Sequence, residues 1–230
     1  MKVSELVLLK NNQFLIANKP CGTQSVKSSN QDNSLQQILS AYTKKEIFPV
    51  HRIDQPVSGA MLFALTDKAF RYLSEEIKSY SIQRYYLGFV RKDNSLADQG
   101  ELTHYLRKST KDKKAFAFNK ELHHTKKAEL QYKKIHTSDN YDLLLIKLKT
   151  GRHHQIRAQF AAESCPLKGD VKYGFKRSNK DRSIDLHSWC LSFKHPVTQD
   201  IVTQFSPTRD NGLWNSVAHL LEDLKENLPF

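Results

Sequence analysis

Three short runs in the chain hold more polar side chains and glycines than a plain core needs. The first is Val50-His51-Arg52-Ile53-Asp54-Gln55-Pro56-Val57-Ser58-Gly59. Its single carboxylate, Asp54, follows an apolar-bounded stretch and stands just ahead of Pro56 and Gly59, which places it on a tight turn. Turns held by flanking strands often carry catalytic groups, although an Asp close to a proline also serves simply to start a turn. The second run is Thr150-Gly151-Arg152-His153-His154-Gln155-Ile156-Arg157. Gly151 ends a strand, and a helix is expected to begin near Arg152. That helix would stack His153 and Arg157 at i, i+4, with His154 beside them at i, i+3. Hydrogen-bond donors would then gather at a helix N-terminus, which favours anions; a basic, solvated first turn is the plainer alternative. The paired histidines lack the HExxH pattern and a nearby carboxylate, so no metal is expected. The third run, Lys168-Gly169-Asp170-Val171-Lys172-Tyr173-Gly174, reads as an ordered turn with a structural purpose.

Taken together, the runs supply one carboxylate of the buried type, a candidate arginine partner and several aromatics. There is no Ser/His/Asp order, no phosphate loop and no Rossmann glycine pattern. The charge balance narrows the partner. With 36 basic against 24 acidic residues the net charge is +12, while 39% of residues are hydrophobic. This is a folded basic protein whose natural partner is a polyanion, nucleic acid first among them. No stretch approaches the ~20 apolar residues of a membrane span. Cys21, Cys165 and Cys190 are too scattered for a disulfide framework or a zinc site, so reduced thiols and a cytoplasmic location are expected.

The elements that must position these residues follow from pattern. Gln13–Asn18 reads as a strand, and residues 23–33 as a polar loop. Ser34 and Gln37 have capping-box spacing, followed by Leu35, Ile38, Leu39 and Tyr42 at helical intervals. Ala60–Leu65 is a buried strand, and a helix after Thr66 carries Phe70, Leu73 and Ile77 on one face. Arg84–Val90 is aromatic and strand-like. Residues 107–127 hold eight Lys/Arg against two acids. They form either a solvated hairpin or loop, or an arm lying against phosphates. Strands resume at Ala128–Ile135, Leu143–Lys149, Leu186–Lys194 and Ile201–Phe205, and a single amphipathic helix from Leu213 to Leu224 closes the chain. Strands and helices mix without regular alternation, so the class is α+β.

Six blocks of this sequence resemble, in order, the motifs of the RluA family of RNA pseudouridine synthases. HRIDQPVSGAMLFALT is similar to HRLDxxTSGLLLxAKT, FLIANKPCG to FLVVNKPAG and QRYYLGFV to KTYLALV. TGRHHQIRAQF is similar to TGRxHQIRxHL, KGDVKYG to xGDxxYG and LHSWCLSFKHPVT to LHAxxLxFxHPxT. The blocks run from residue 14 to 198. Gln55, Val57 and Arg84 depart from the commoner residues, and 91–126 matches poorly.

The resemblance implies the pseudouridine-synthase fold: a bent mixed, largely antiparallel sheet with flanking helices and a central basic cleft. It implies one catalytic domain over 1–230, without the small N-terminal RNA-binding domain of longer relatives. It also implies that uridine in structured RNA, either large-subunit rRNA or tRNA, is isomerised without cofactor or metal. Asp54 would be the nucleophile and Arg157 its buried ion-pair partner, able to lower a carboxylate pKa by roughly 1–3 units. Tyr86 would pack on the base, and Leu186 would lie on the base's other side. Arg52 would fill the space a flipped uridine leaves, and Arg152 and His154 would contact RNA. A monomer is expected, with no obligatory protein partner and no membrane contact. Two rivals stand beside this reading: a non-catalytic RNA-binding protein, and a retaining glycosidase, which needs a second carboxylate ~5–5.5 Å from the first.

Overall fold

The computed structural model describes residues 2–27, 33–92 and 96–229, so part of the polar loop expected over 23–33 lies outside the described residues. The chain divides into two compact units. Unit 1 is Met1–Arg84 with His187–Phe230, and unit 2 is Tyr85–Leu186.

Unit 1 opens with α1 (Val3–Leu6), β1 (Val7–Lys10) and β2 (Phe14–Lys19). Next come α2 (Leu35–Thr43), β3 (Phe48–Pro49), β4 (Ser58–Ala64) and α3 (Asp67–Lys78). Both helix starts lie where the side-chain chemistry puts them. Ser34 and Gln37 close a reciprocal capping box on α2, and the Thr66 hydroxyl accepts from Ala69 N at 3.1 Å on α3. β2 pairs antiparallel with β1 and β4, and β3 pairs antiparallel with β4. Every residue of β4 is buried, which explains the apolar run from Ala60 to Ala64.

The chain returns to unit 1 in β10 (Leu186–Lys194), which pairs parallel with β4 and antiparallel with β11 (Ile201–Phe205). Gly59 makes the parallel contact possible. It lies opposite Ser188 at φ +115°, and a Cβ there would sit 2.2 Å from the Ser188 carbonyl oxygen. Phe14, Ile16, Leu62, Leu73, Leu191 and Phe193 form one buried cluster, with Phe14 edge-on to Phe193 at 5.1 Å. Each such side chain stabilises the fold by about 1.5–3 kcal/mol. The expected single C-terminal helix is instead two, α5 (Gly212–Asn215) and α6 (Ala218–Glu226). The turn at Ser216 and Val217 buries both Trp214 and Val217 completely.

Unit 2 holds an antiparallel run of strands in the order β5 (Gln83–Arg91), β9 (Tyr141–Leu148), β8 (Lys126–Thr137), β6 (Gln99–Ser109), β7 (Lys114–Phe118). β6 and β7 form a hairpin whose tip lies within residues 107–127. β6 alternates buried Leu102, His104 and Leu106 with exposed Glu101, Thr103 and Arg107. Helix α4 (Gln155–Ala162) packs on the sheet and is buried from Gln155 to Phe160. Its Gln159 side chain donates to Leu102 O at 3.0 Å and Ala128 O at 3.2 Å, tying the helix to β6 and β8. Strands are mixed and helices flank them, so the class is α+β as the sequence indicates. Within the units, all described strand pairs are antiparallel except β4 with β10. No described helix is long and apolar enough to cross a membrane.

Candidate active site

Asp54 stands between β3 and β4, at the head of a turn closed by Val57 N donating to Asp54 O at 3.0 Å. Its immediate neighbours are fixed by different partners. On one side, the buried Ser25 hydroxyl donates to Ile53 O at 2.6 Å and accepts from Ile53 N at 3.2 Å. On the other, Gly22 N donates to Gln55 O at 2.8 Å, and the Gln55 amide returns a bond to Gly22 O at 2.9 Å. This is the use the fold makes of Gln55, one of the departures from the family motif. Asp54 itself is half-buried rather than fully buried, and Arg52 is exposed. The backbone under the carboxylate is therefore rigid, while the side chain keeps an accessible face.

Two buried bases complete this region. Lys19 is fully buried, and its ammonium donates to Pro20 O at 2.9 Å, Thr23 O at 2.7 Å and Gln55 O at 3.2 Å. It thus binds the loop after β2 to the turn of Asp54. Burial lowers its pKa to about 7, and electrostatic interaction with Cys21 and Asp54 opposes that shift. His51 is also buried, with Nε2 accepting from Leu62 N at 3.1 Å and replacing the strand partner that β4 loses beyond β3. Burial, and then the positive charge of Arg84, pushes its pKa down to about 3, so it is a neutral acceptor. The sequence reading gave neither residue a role. A lysine closing an apolar strand before Pro-Cys-Gly was the signal available for Lys19.

Unit 2 holds the other candidates. Arg157 lies in α4, 4% exposed, and makes a two-pronged ion pair with Asp170: Nε to Oδ2 at 2.7 Å and Nη2 to Oδ1 at 2.9 Å. Its guanidinium lies over the Tyr173 ring, 4.9 Å from the centroid. The Tyr173 hydroxyl in turn meets His154 Nδ1 at 3.0 Å and accepts from Ala115 N at 2.8 Å. The run Lys168–Gly174, read from sequence as a structural turn, therefore supplies two direct partners of Arg157. Asp170 escaped that reading because it is thirteen residues away and outside any helix.

The helix does not begin near Arg152. His154 adopts a left-handed backbone, φ 51°, which stops the helix at Gln155. The Gln155 side chain folds back to accept from the Thr150 hydroxyl at 2.8 Å and Arg152 N at 2.9 Å, holding the preceding loop open. His153 and Arg157 are consequently not helical i, i+4 neighbours. Instead the His153 and His154 rings stack at 3.9 Å, and Arg152 Nε donates to Lys127 O at 3.0 Å. Tyr86 is buried in β5 opposite Ile146. Leu186, also buried, lies beside the same face of β5, since a Cβ on Gly88 would come 3.5 Å from it. The structure thus groups His154, Arg157 and Tyr173 in one network, and Tyr86 with Leu186 along one strand face.

A family model described as RNA pseudouridylate synthase matches residues 13–162. The tRNA pseudouridine synthase C of Haemophilus ducreyi is 29% identical over 217 residues, covering 86% of this chain and 88% of the relative. The protein of the same name from Salmonella typhi is 29% identical over 222 residues, covering 86% of this chain and 84% of its own. Among solved structures, human RNA pseudouridylate synthase domain containing 1 shares the fold with a TM-score of 0.74 at 21% identity, covering 98% of this chain and 96% of that one.

Proposed function

From the chain's membership of the RNA pseudouridylate synthase family, which makes it an RNA-modifying isomerase, we propose that it converts uridine to pseudouridine in tRNA with Asp54 as nucleophile. Asp54 attacks either the ribose anomeric carbon or carbon 6 of uracil. The bond from N1 to the ribose breaks, the base turns, and carbon 5 bonds to the ribose. Carbon 5 then gives up its proton and N1 gains one, so the product is an isomer and no cofactor enters the balance. Flipping the uridine costs a few kcal/mol. Arg52 offsets part of this by entering the vacated space, while Tyr86 and Leu186 hold the base. Tyr86 assists the last proton removal, Arg157 is the buried positive charge that the scheme uses, and Arg152 and His154 contact RNA. The hairpin of β6 and β7 lies against phosphates. Lys114 over exposed Phe116 (4.7 Å) and Arg107 over Phe118 (5.1 Å) place cations and aromatic rings side by side there, the residue types that bind single-stranded nucleic acid. Both units serve this one reaction as a single catalytic domain. The choice of tRNA rests on relatives of that name matching most of the chain.

The observation that carries the reading is the grip on both neighbours of a half-exposed Asp54. Asp54→Asn keeps the side chain's size but removes its competence as nucleophile or base. Turnover on bulk tRNA, read by tritium release and by sequencing, is expected to vanish, while filter binding holds. Residual turnover within about tenfold of wild type, a barrier change of only ~1.4 kcal/mol, would remove Asp54 from this role.

A further inference from the structure

Unit 2 carries a second cationic segment. Between Lys172 and Arg182 stand Lys172, Lys176, Arg177, Lys180 and Arg182, all exposed, with Asp181 the one acid. Among the described residues, Lys176, Arg177, Lys180 and Arg182 hold no ion pair, whereas Lys168, just upstream, is paired with Asp185 at 2.7 Å.

A solvated charge run needs no frame, and this one has a frame. The Asn179 side chain accepts from Lys168 Nζ at 2.7 Å and donates to the buried Asp185 Oδ2 at 2.9 Å. Arg182 N donates to Asn179 O at 2.9 Å, and Ser183 N donates to Asp181 Oδ1 at 3.0 Å. Gly169, at φ +85°, brings the base of the loop so close that a Cβ would lie 2.7 Å from Ser183 O. The start of the loop is docked on the hairpin, with Lys172 Nζ donating to Lys113 O at 3.0 Å and Tyr173 accepting from Ala115 N. Holding like charges on a fixed frame is self-repulsive, and a polyanion relieves that repulsion. Phe175 is half-buried and Val171 is the one exposed apolar side chain at this loop, so the surface lacks the apolar centre of a protein interface.

We propose that the loop Lys172–Arg182 is a second phosphate-binding wall for folded RNA, built beside the hairpin tip and reading backbone rather than bases. This rests on the RNA-isomerase reading above and adds a surface to it.

The test replaces Lys176, Arg177, Lys180 and Arg182 together with Gln and leaves the docked Lys172 in place. Filter binding of bulk tRNA is measured from 50 to 200 mM KCl, with turnover measured in parallel. The slope of log K against log salt should fall by up to about 0.7–0.9 for each phosphate that is no longer neutralised. Affinity at 100 mM should drop at least tenfold, and KM should rise with kcat unchanged at saturating tRNA. Thermal unfolding is followed as a control; should the fourfold variant fail to fold, Arg177→Gln with Lys180→Gln gives the same readout at about half the size. An unchanged slope and affinity in a folded variant overturns the proposal and leaves the loop to an acidic protein partner. A wild-type protein that binds tRNA without isomerising it overturns the functional reading alone, because the salt slope still reports on the loop.

Discussion

The two units bury polar groups in opposite ways. Unit 1 buries bases and hydroxyls against neutral partners: Lys19 on three carbonyls, His51 on a backbone N–H, Ser25 on Ile53, and His187 between the Ser58 hydroxyl at 2.9 Å and Ser206 O at 3.3 Å. Unit 2 contains all three fully buried carboxylates among the described residues, and each has a cation within 4 Å: Asp142 with Lys134, Asp170 with Arg157, and Asp185 with Lys168. Around Asp54 the fold fixes main chain and leaves the carboxylate partly accessible. Around Arg157 it fixes the head group itself. The first arrangement suits a group that must meet and release substrate. The second suits a charge whose direction must not change.

The largest effect that separates the two is expected at Arg157→Leu. Removing one partner strands Asp170 as a buried charge, a loss of roughly 3–5 kcal/mol. Activity should fall more than tRNA affinity. Urea unfolding followed by the Tyr and Trp signals provides the measurement, and a loss under 1 kcal/mol would show that water reaches the pair.

An intermediate effect is expected from acid, and it falls on unit 1. Burial pushes His187 down to about 4 and His51 to about 3, so both stay neutral while an unfolded chain takes up protons below about 6.5. The unfolded state then binds more protons, and stability falls as pH drops from 6.5 towards 4, by about 1.4 kcal/mol per pH unit for each histidine. His104 in unit 2 is lowered in the same direction by burial, but Glu163 opposes the shift. Denaturation midpoints at pH 7 and pH 5 should therefore converge in His187→Gln relative to wild type. An equal pH response in both proteins would contradict the assignment.

The smallest effect is expected at Ser25→Ala, which leaves Ile53 N and O without that partner at about 1–2 kcal/mol. If gripping the main chain is what positions Asp54, kcat should fall several-fold with KM nearly unchanged. A KM change alone would make the Ser25 contact a matter of RNA fit.

Much of unit 1 was legible because its signals are local. The Ser34–Gln37 box, the Thr66 cap and the apolar run of β4 each declare themselves within four to seven residues. The Asp54 turn was legible through Pro56 and Gly59. Its anchors were not, since Ser25 and Gly22 lie about thirty residues upstream and have no pattern of their own. In unit 2 the helix start was misplaced because His154 takes a left-handed conformation that non-glycine residues rarely adopt. β6 was passed over because its buried positions include His104, and its other face is charged.

The pairing of β4 with β10 also bears on how the chain is assembled. Gly59 and Ser188 are partners separated by the whole of unit 2, which is itself one unbroken segment. At about 5–20 residues per second of synthesis, Ser58 and Gly59 of the buried β4 wait on the order of ten seconds for their partners in β10 while the sheet of unit 2 can already close. The most exposed moment in this protein's life is therefore set by the order of its elements, and it belongs to the unit that carries Asp54.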